Sequence, residues 1–195
     1  TQWREQNGFA KDDFIILYAG IIGHAQALET VVEAAELAKN QTSLKWVLLG
    51  SGPIKEKLLA MQQEKQLTNV YFYPPVPKSI VPEILKAVDV ALVPLKNIEL
   101  FRGALPSKIF EALAMKKPLL LGVEGEAKDL FIDQGKAGLA FKPEDAADLV
   151  KQSLFLYNHK ADAARFGENG RNYVQANFNR DTIAEKFYNF LKGEK

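Results

Sequence analysis

The chain of 195 residues contains no cysteine, which excludes disulfide bonds and thiolate metal sites. It has only two histidines, His24 and His159, and neither stands in a pattern typical of a metal site or a hydrolytic triad. No apolar run approaches the roughly 20 residues that a membrane-spanning helix requires. We therefore expect no metal and no spanning segment.

The chain also lacks an excess of charge of one sign, because it has 25 basic and 24 acidic side chains, for a formal net charge of +1. Such a balance gives no long-range field for nucleic acid, so we expect no nucleic-acid partner. Hydrophobic residues make up 47% of the chain, which is enough to build a core that needs no disulfide bond or bound metal to stabilise it. The lack of cysteine and of a secretory leader favours a cytoplasmic location.

Short apolar runs alternate with longer amphipathic segments along most of the chain. The runs, rich in β-branched and aromatic residues, predict about six strands, at residues 14–18, 44–49, 70–73, 88–93, 118–121 and 138–141. Alternating β and α with continuously apolar strands is typical of an α/β fold, a Rossmann-like doubly wound parallel sheet. Residues 144–195 are predicted to form an all-helical tail.

Ligands of such sheets bind beyond the carboxyl ends of the strands. The loops of interest are therefore residues 20–27, 50–53, 74–78 and 94–108. The predicted helix that begins at Lys108 is apolar except for Glu111. At this spacing Ser107, Lys108 and Glu111 lie on one side of the helix. The carboxylate can bind two adjacent hydroxyls, and the lysine with free amides can bind a diphosphate. The alternative is a solvated Lys108–Glu111 ion pair, worth about 0.2–0.5 kcal/mol.

Glycines follow the first two predicted strands. Gly20 and Gly23 would let a phosphate or sugar approach the backbone, although a simple tight turn explains them equally well. Gly50, Ser51 and Gly52 join a strand to a helix and offer unpaired amides, or they serve only the turn. The proline-rich segment 74–77 either presents backbone groups to a nucleobase or is a stiff crossover loop.

The order of these motifs resembles the C-terminal half of the GT-B glycosyltransferases. It is most similar to the large retaining family that includes bacterial O-antigen and capsule transferases. The segments that carry the likeness span nearly the whole chain, and they are GIIG (20–23), LLGSGP (48–53), YFYPPVP (71–77), AVDVALVP (87–94), PSKIFEALA (106–114) and FGENGR (166–171).

The resemblance implies a nucleoside diphosphate-sugar as donor, with a UDP-sugar favoured. It implies that Glu111 binds the ribose, that Ser107 and Lys108 lie near the diphosphate, and that the backbone at Val76 meets the base. Members of the family need neither a metal nor another cofactor. The rest of the implied donor site comprises Gly20, Gly23, Gly50, Ser51, Gly52, Gly103 and Pro106.

Two departures from the family pattern concern the donor sugar and the leaving phosphate. Gly103 stands where many members have an acidic residue that contacts the sugar. Ile21 and Gln26 occupy the places of an arginine and a lysine that bind phosphate. Arg102 and Lys108 are our candidates for the missing positive charge, so the predicted catalytic residues are Lys108, Arg102 and Glu111.

By the same resemblance, residues 1–195 would be the donor-binding half of a retaining, hexosyltransferase-type enzyme. The expected partners are an absent N-terminal domain and an acceptor glycan or lipid-linked sugar. This half alone should be inactive, and the absent half would bring the protein to the inner face of the membrane. We also expect apolar surface that the other half covers, on the last helix or on residues 20–26.

Three other functions compete with this one. A sugar-nucleotide epimerase needs acids and a base around the sugar, for which the loops offer Glu99, Glu124 and Glu126. A receiver-type signalling domain needs acidic residues after the first strand, and Ala19, Gly20 and Ile21 exclude it. A nucleotide-binding module without catalysis is compatible with the changes at Gly103 and Ile21.

Overall fold

The computed structural model describes residues 2–193, which form one six-stranded sheet covered by helices on both faces. Each strand is parallel to its neighbours, and their spatial order is β3-β2-β1-β4-β5-β6. Their bounds are β1 Phe14–Ala19, β2 Leu44–Leu49, β3 Val70–Tyr73, β4 Val90–Pro94, β5 Leu119–Gly122 and β6 Gly138–Ala140.

The helices fill the connections between strands and then continue to the end of the described chain. Their bounds are α1 Gln2–Gln6, α2 Glu29–Leu37, α3 Lys55–Glu64, α4 Val81–Ala87, α5 Lys108–Ala114, α6 Glu126–Lys128, α7 Ala146–Asn158, α8 Lys160–Asn177 and α9 Arg180–Leu191. After α6 the chain continues as a π-helical stretch, Asp129–Gln134, where the sequence predicts an ordinary helix.

The strands are apolar on both faces because both faces are buried. In β1, Ile15 and Leu17 pack on the side of α4, while Ile16 and Tyr18 pack on the side of α2 and α7. The first strand is therefore buried almost throughout, as expected for a central strand of a parallel sheet.

The strand order places a topological switch point between β1 and β4. The chain moves outward from β1 to β3, returns to β4 beside β1, and then moves outward the other way. Crevices at such points open at the carboxyl ends of the strands, which here are followed by Gly20, Gly50 and Pro74. The predicted doubly wound fold is confirmed.

The predicted strands are confirmed with small shifts. The second and third predicted strands match β2 and β3, whereas β4 begins at Val90 because Asp89 turns inward. Its carboxylate accepts hydrogen bonds from the backbone of Ile15 and from Arg4. The predicted tail, 144–195, forms α7, α8 and α9, and its last two residues lie outside the described part of the chain, as does Thr1.

Candidate functional site

A cleft of about 490 Å³ runs along the carboxyl ends of β1, β2 and β3 and is closed on one side by α5. Its size falls in the range of small-molecule sites. Of the twelve predicted site residues, seven line it, namely Gly20, Gly50, Ser51, Val76, Ser107, Lys108 and Glu111. The cleft therefore brings together segments that are far apart in the chain, from the end of β1 to α5.

Gly20 and Gly50 let two strand ends come together at the bottom of this cleft. The two loops run side by side, and a side chain at Gly50 would overlap the Gly20 carbonyl group. Both residues also have positive φ angles, of 145° and 149°, which other residues rarely adopt. Their small size therefore shapes the cleft and exposes backbone to a ligand.

Gly23 and Gly52 do not line the cleft, although the sequence predicts both as donor-binding. Gly52 instead lies against the backbone of Ile22, where no side chain fits. The Ile22 amide donates to Ser51, and the Ile54 amide donates to the Ile22 carbonyl, at 2.8 and 3.2 Å. Gly52 thus allows the loops after β1 and β2 to pack closely, whereas Gly23 contacts only its own loop, at Ile21 and Gln26.

Lys108 begins α5 and extends across the cleft floor. Its ammonium nitrogen lies 3.7 Å from the ring centroid of Tyr18, next to Gly20. Burial lowers the pKa of Lys108 to about 8, against a smaller opposing effect of Glu111. A lysine so placed carries its charge less readily until an anion compensates for the lost water.

The alternative interpretation, a Lys108–Glu111 ion pair, is not what the structure has. The salt bridges found among residues 2–193 do not include Lys108, whose ammonium rests over an aromatic ring instead. Glu111 is exposed on the cleft wall one turn further along the helix. Both charges are therefore available to a ligand.

Backbone amides near Ser107 add to this wall. The amides of Ile109, Phe110 and Glu111 already donate to carbonyls of the first helical turn. For those of Ser107 and Lys108 no acceptor is found within the described chain, and the Ser107 side chain does not cap the helix. Two amides, a hydroxyl and an ammonium group thus lie together at the start of α5.

The opposite end of the cleft is formed by the loop after β3. Pro75, Val76, Lys78 and Val81 line it, so the proline-rich segment faces the cleft. Glu111 also lines a small recess together with Val81 and Lys108. The cleft thus combines an end formed by Pro75, Val76 and Lys78 with the carboxylate of Glu111 and the ammonium of Lys108.

A second cavity, of about 270 Å³, adjoins the cleft at Lys108 and Gln26, which line both. Predicted residue Pro106 lies here and not in the cleft. The other walls of this second cavity are apolar. They come from the end of β4 and from the loops after β1 and β4, namely Ala25, Val93, Pro94, Leu95, Phe101, Ala104 and Leu105.

Arg102 and Gly103 lie outside both cavities. The Arg102 side chain is exposed, pairs with Glu99 at 3.2 Å, and lines a separate crevice beside Glu124. Gly103 is exposed, and no other part of the described chain comes within 4 Å of a side chain built there. Arg102 and Gly103 therefore do not join the residues of the cleft or of the second cavity, and their predicted roles stay predictions.

The sequence did not predict Tyr18 as a site residue, and it indicated Gln26 only as a departure from the family pattern. Tyr18 is fully buried, supports Lys108 from below, and donates its hydroxyl to the Ile21 carbonyl at 2.5 Å. Burial raises its pKa, so the hydroxyl stays protonated. The available signal was a tyrosine with a polar hydroxyl near the end of an otherwise apolar strand, two residues before Gly20.

The acids that an epimerase would need lie away from the two cavities. Glu99 pairs with Arg102, Glu124 pairs with Lys128 at 3.0 Å, and Glu126 is exposed at the start of α6. Within residues 2–193 no group of three or more histidine or acidic residues is placed to bind a metal ion. No helix in that range is long and apolar enough to cross a membrane.

Apolar surface is exposed at the two predicted places. No residue of α9 with a described side chain is buried, and Phe187 and Phe190 are 61% and 75% exposed. Ile21, in the loop after β1, is 68% exposed at the cleft rim. The exposure is confirmed, whereas its covering by a further domain stays a prediction.

Comparison with known sequences places these features in one family. The family described as Glycosyl transferases group 1 matches residues 1–173. WcaI of Escherichia coli K12, which is named as a glycosyl transferase of colanic acid biosynthesis, is 30% identical over 97% of this chain. The O-antigen chain mannosyltransferase C of Escherichia coli is 26% identical over 97%. The chain covers 46% and 48% of these relatives, about half of their length.

Solved structures agree on the fold. HepE of Anabaena, solved with UDP-glucose, superposes with a TM-score of 0.83 at 17% identity, over 98% of this chain and 52% of that one. TarM of Staphylococcus aureus, solved with UDP and glycan ligands, gives 0.77 at 21% identity, over 91% of this chain and 35% of that one. With the sheet, the cleft and the family match together, the chain belongs to the group 1 glycosyltransferases and has the Rossmann-like fold of a GT-B domain.

Proposed function

We propose that the cleft binds a nucleoside diphosphate-sugar, with a UDP-sugar favoured, as the donor for glycosyl transfer. The observation that carries this proposal is the unpaired Lys108 ammonium, which lies in the same cleft as Glu111 and the glycine strand ends. A half-buried cation without a carboxylate partner loses part of its hydration, and a bound diphosphate would compensate for it. HepE and TarM, which share the fold, were both solved with UDP.

The base would lie against Pro75 and Val76, and the ribose hydroxyls would donate to the Glu111 carboxylate. The diphosphate would then lie over Gly20 and Gly50, where it accepts from Lys108 and from the amides of Ser107 and Lys108. Each contact uses a group that lines the cleft.

In the transfer itself, the negative charge that develops on the leaving diphosphate would be stabilised by Lys108 and these amides, without a metal or another cofactor. The reaction we propose is transfer of a hexosyl group, with retention, to a polysaccharide or lipid-linked acceptor. Because the chain spans about half the length of its relatives, the acceptor would be bound by a further domain, at the inner face of the membrane. The donor half alone is expected to bind without turnover.

Calorimetric titration of the chain with UDP, GDP and ADP tests the proposal. We expect one of the three to bind measurably tighter than the other two. Glu111→Ala should weaken it about tenfold or more, because hydrogen bonds to a charged group are worth about 1.5–3 kcal/mol. Glu126→Ala, an exposed acidic residue outside the cavities, is the matched control and should bind as the wild type does. Absence of binding at millimolar concentration, or equal binding by Glu111→Ala, would contradict the proposal.

A further inference from the structure

The second cavity differs in chemistry from the cleft that it adjoins. Where the cleft presents a carboxylate, a hydroxyl and backbone amides, the cavity of about 270 Å³ is walled by aliphatic and aromatic side chains. The two polar side chains that reach it, Gln26 and Lys108, stand at the junction with the cleft. A ligand group that enters the cavity therefore leaves polar surroundings.

Several backbone groups around this cavity are already hydrogen-bonded within the chain. The Ala25 carbonyl accepts from Lys96 at 2.9 Å, and the Ala104 amide donates to the Phe101 carbonyl at 3.1 Å. The Leu95 amide donates to Gly122, and Pro94 and Pro106 have no amide proton to donate. A ring hydroxyl directed at these walls would lose its bonds to water and find few partners, which is costly.

The strand order fixes which part of a bound donor would reach the cavity. Along the carboxyl edge, the loop after β3 comes first, then those after β2 and β1, and finally the loop after β4. A donor with its base at Val76 and its diphosphate at Lys108 continues toward the β4 side. The group beyond the diphosphate is the glycosyl group, and the cavity is on its path.

We propose that this cavity receives the donor's glycosyl group and selects a sugar that carries a methyl group, as a 6-deoxyhexose or an N-acetylhexosamine does. The inference rests on the proposed function, since it assumes that the diphosphate lies at Lys108. The methyl group would contact Leu105 and Phe101, and the Gln26 amide at the junction would bond a hydroxyl on the opposite side of the ring. Removing one methyl group's surface from water favours binding about fourfold, and a well-fitted pocket about tenfold.

The test uses calorimetry to compare sugar conjugates of whichever nucleotide binds best to the 195-residue chain. The conjugates of 6-deoxyglucose and of N-acetylglucosamine are measured against that of glucose, which lacks the methyl group. We expect at least one of them to bind about fourfold to tenfold more tightly than the glucose conjugate. The tighter of the two identifies the source of the methyl group.

A substitution then locates the preference in the cavity. Leu105→Asn places an amide on the apolar wall and should reduce the ratio of the two dissociation constants to about one. Leu100→Asn is the matched control, since Leu100 is 80% exposed on the same loop and does not line the cavity. It should leave the ratio as in the wild type. If Leu105→Asn fails to fold, Ala104→Ser makes the same change on a smaller scale.

The outcomes separate this inference from the function on which it rests. Binding of the nucleotide with a glucose conjugate as tight as the methyl-bearing ones would overturn the inference and leave the proposed function standing. A preference that survives Leu105→Asn would also overturn it. Absence of binding by any nucleoside diphosphate would overturn both.

Discussion

The two ends of helix α5 carry half-buried lysines that differ in whether the chain provides them with partners. Beyond the C-terminal end, the Lys117 ammonium donates to the Val88 carbonyl at 2.8 Å and to that of Lys86 at 3.4 Å. At the N-terminal end, Lys108 lies over Tyr18 without such an acceptor. Burial lowers the pKa of both lysines.

Other contacts follow the same division. Near the C-terminal end, Arg171 donates to the Ala114 carbonyl, and Gly167 of α8 packs directly on the carbonyl of Lys116. At the N-terminal end, the amides of Ser107 and Lys108 are without acceptors in the described chain. The comparison teaches that the groups at one end of α5 have partners within the chain, whereas those at the other end have none in the described chain and are open to water or to a ligand.

The largest effect on stability is expected from Gly167→Ala, which changes the packing near the C-terminal end of α5. The new methyl group would overlap the backbone carbonyl of Lys116, so α8 would have to move away from α5. We expect the free energy of unfolding to fall by about 2–4 kcal/mol, measured by urea denaturation. Gly103→Ala, where nothing lies within 4 Å, should change it by less than about 0.5 kcal/mol. Equal stability of the two variants would refute the tight contact.

Replacing each lysine by methionine should have a smaller effect on stability, and this effect should have opposite signs at the two ends of α5. Lys108→Met removes a charge held in an unfavourable place, so it should raise the melting temperature while weakening nucleotide binding about tenfold or more. Lys117→Met leaves the Val88 carbonyl without its donor. It should lower the free energy of unfolding by about 1 kcal/mol and leave nucleotide affinity unchanged.

Thermal unfolding and calorimetry on the same two preparations check this contrast. If Lys108→Met is less stable than the wild type, then Lys108 is a structural residue and the distinction between the two ends fails. If Lys117→Met weakens nucleotide binding, then Lys117 also contributes to binding, and the distinction between the two ends fails as well.

The strands and the shared helix face were accessible from the sequence, because they depend on local patterns. Continuous apolar runs predict the strands, and the spacing of Ser107, Lys108 and Glu111 predicts one shared helix face. Both of these outcomes were confirmed by the structure. The functional roles of the three residues stay predictions.

The rest depends on contacts between distant segments and on side-chain direction. Lys108 rests on Tyr18 because α5 packs across the ends of the strands, and these two residues are far apart in the chain. Arg102 pairs with Glu99 through a side-chain conformation that spacing does not fix. The apolar cavity joins Ala25 to the loop after β4, and its walls come together only in the folded chain.

The smallest effect, and the most specific to the unsatisfied end, is a pH dependence that Lys108→Met should abolish. The folded-state pKa of Lys108 is about 8, below its ordinary value of 10.5, so between these values the unfolded chain binds the additional proton. The stability of the wild type should therefore rise with pH across this window relative to the variant, whose advantage is greatest below pH 8. Binding a diphosphate stabilises the charged lysine and raises its pKa, so nucleotide affinity should fall by a few fold as the pH rises above 8. Calorimetry near pH 9, in two buffers with different ionisation enthalpies, should detect up to one proton taken up on binding by the wild type and none by Lys108→Met. Equal proton uptake by the two proteins would assign the titration to another group and remove Lys108 from the ligand end of α5.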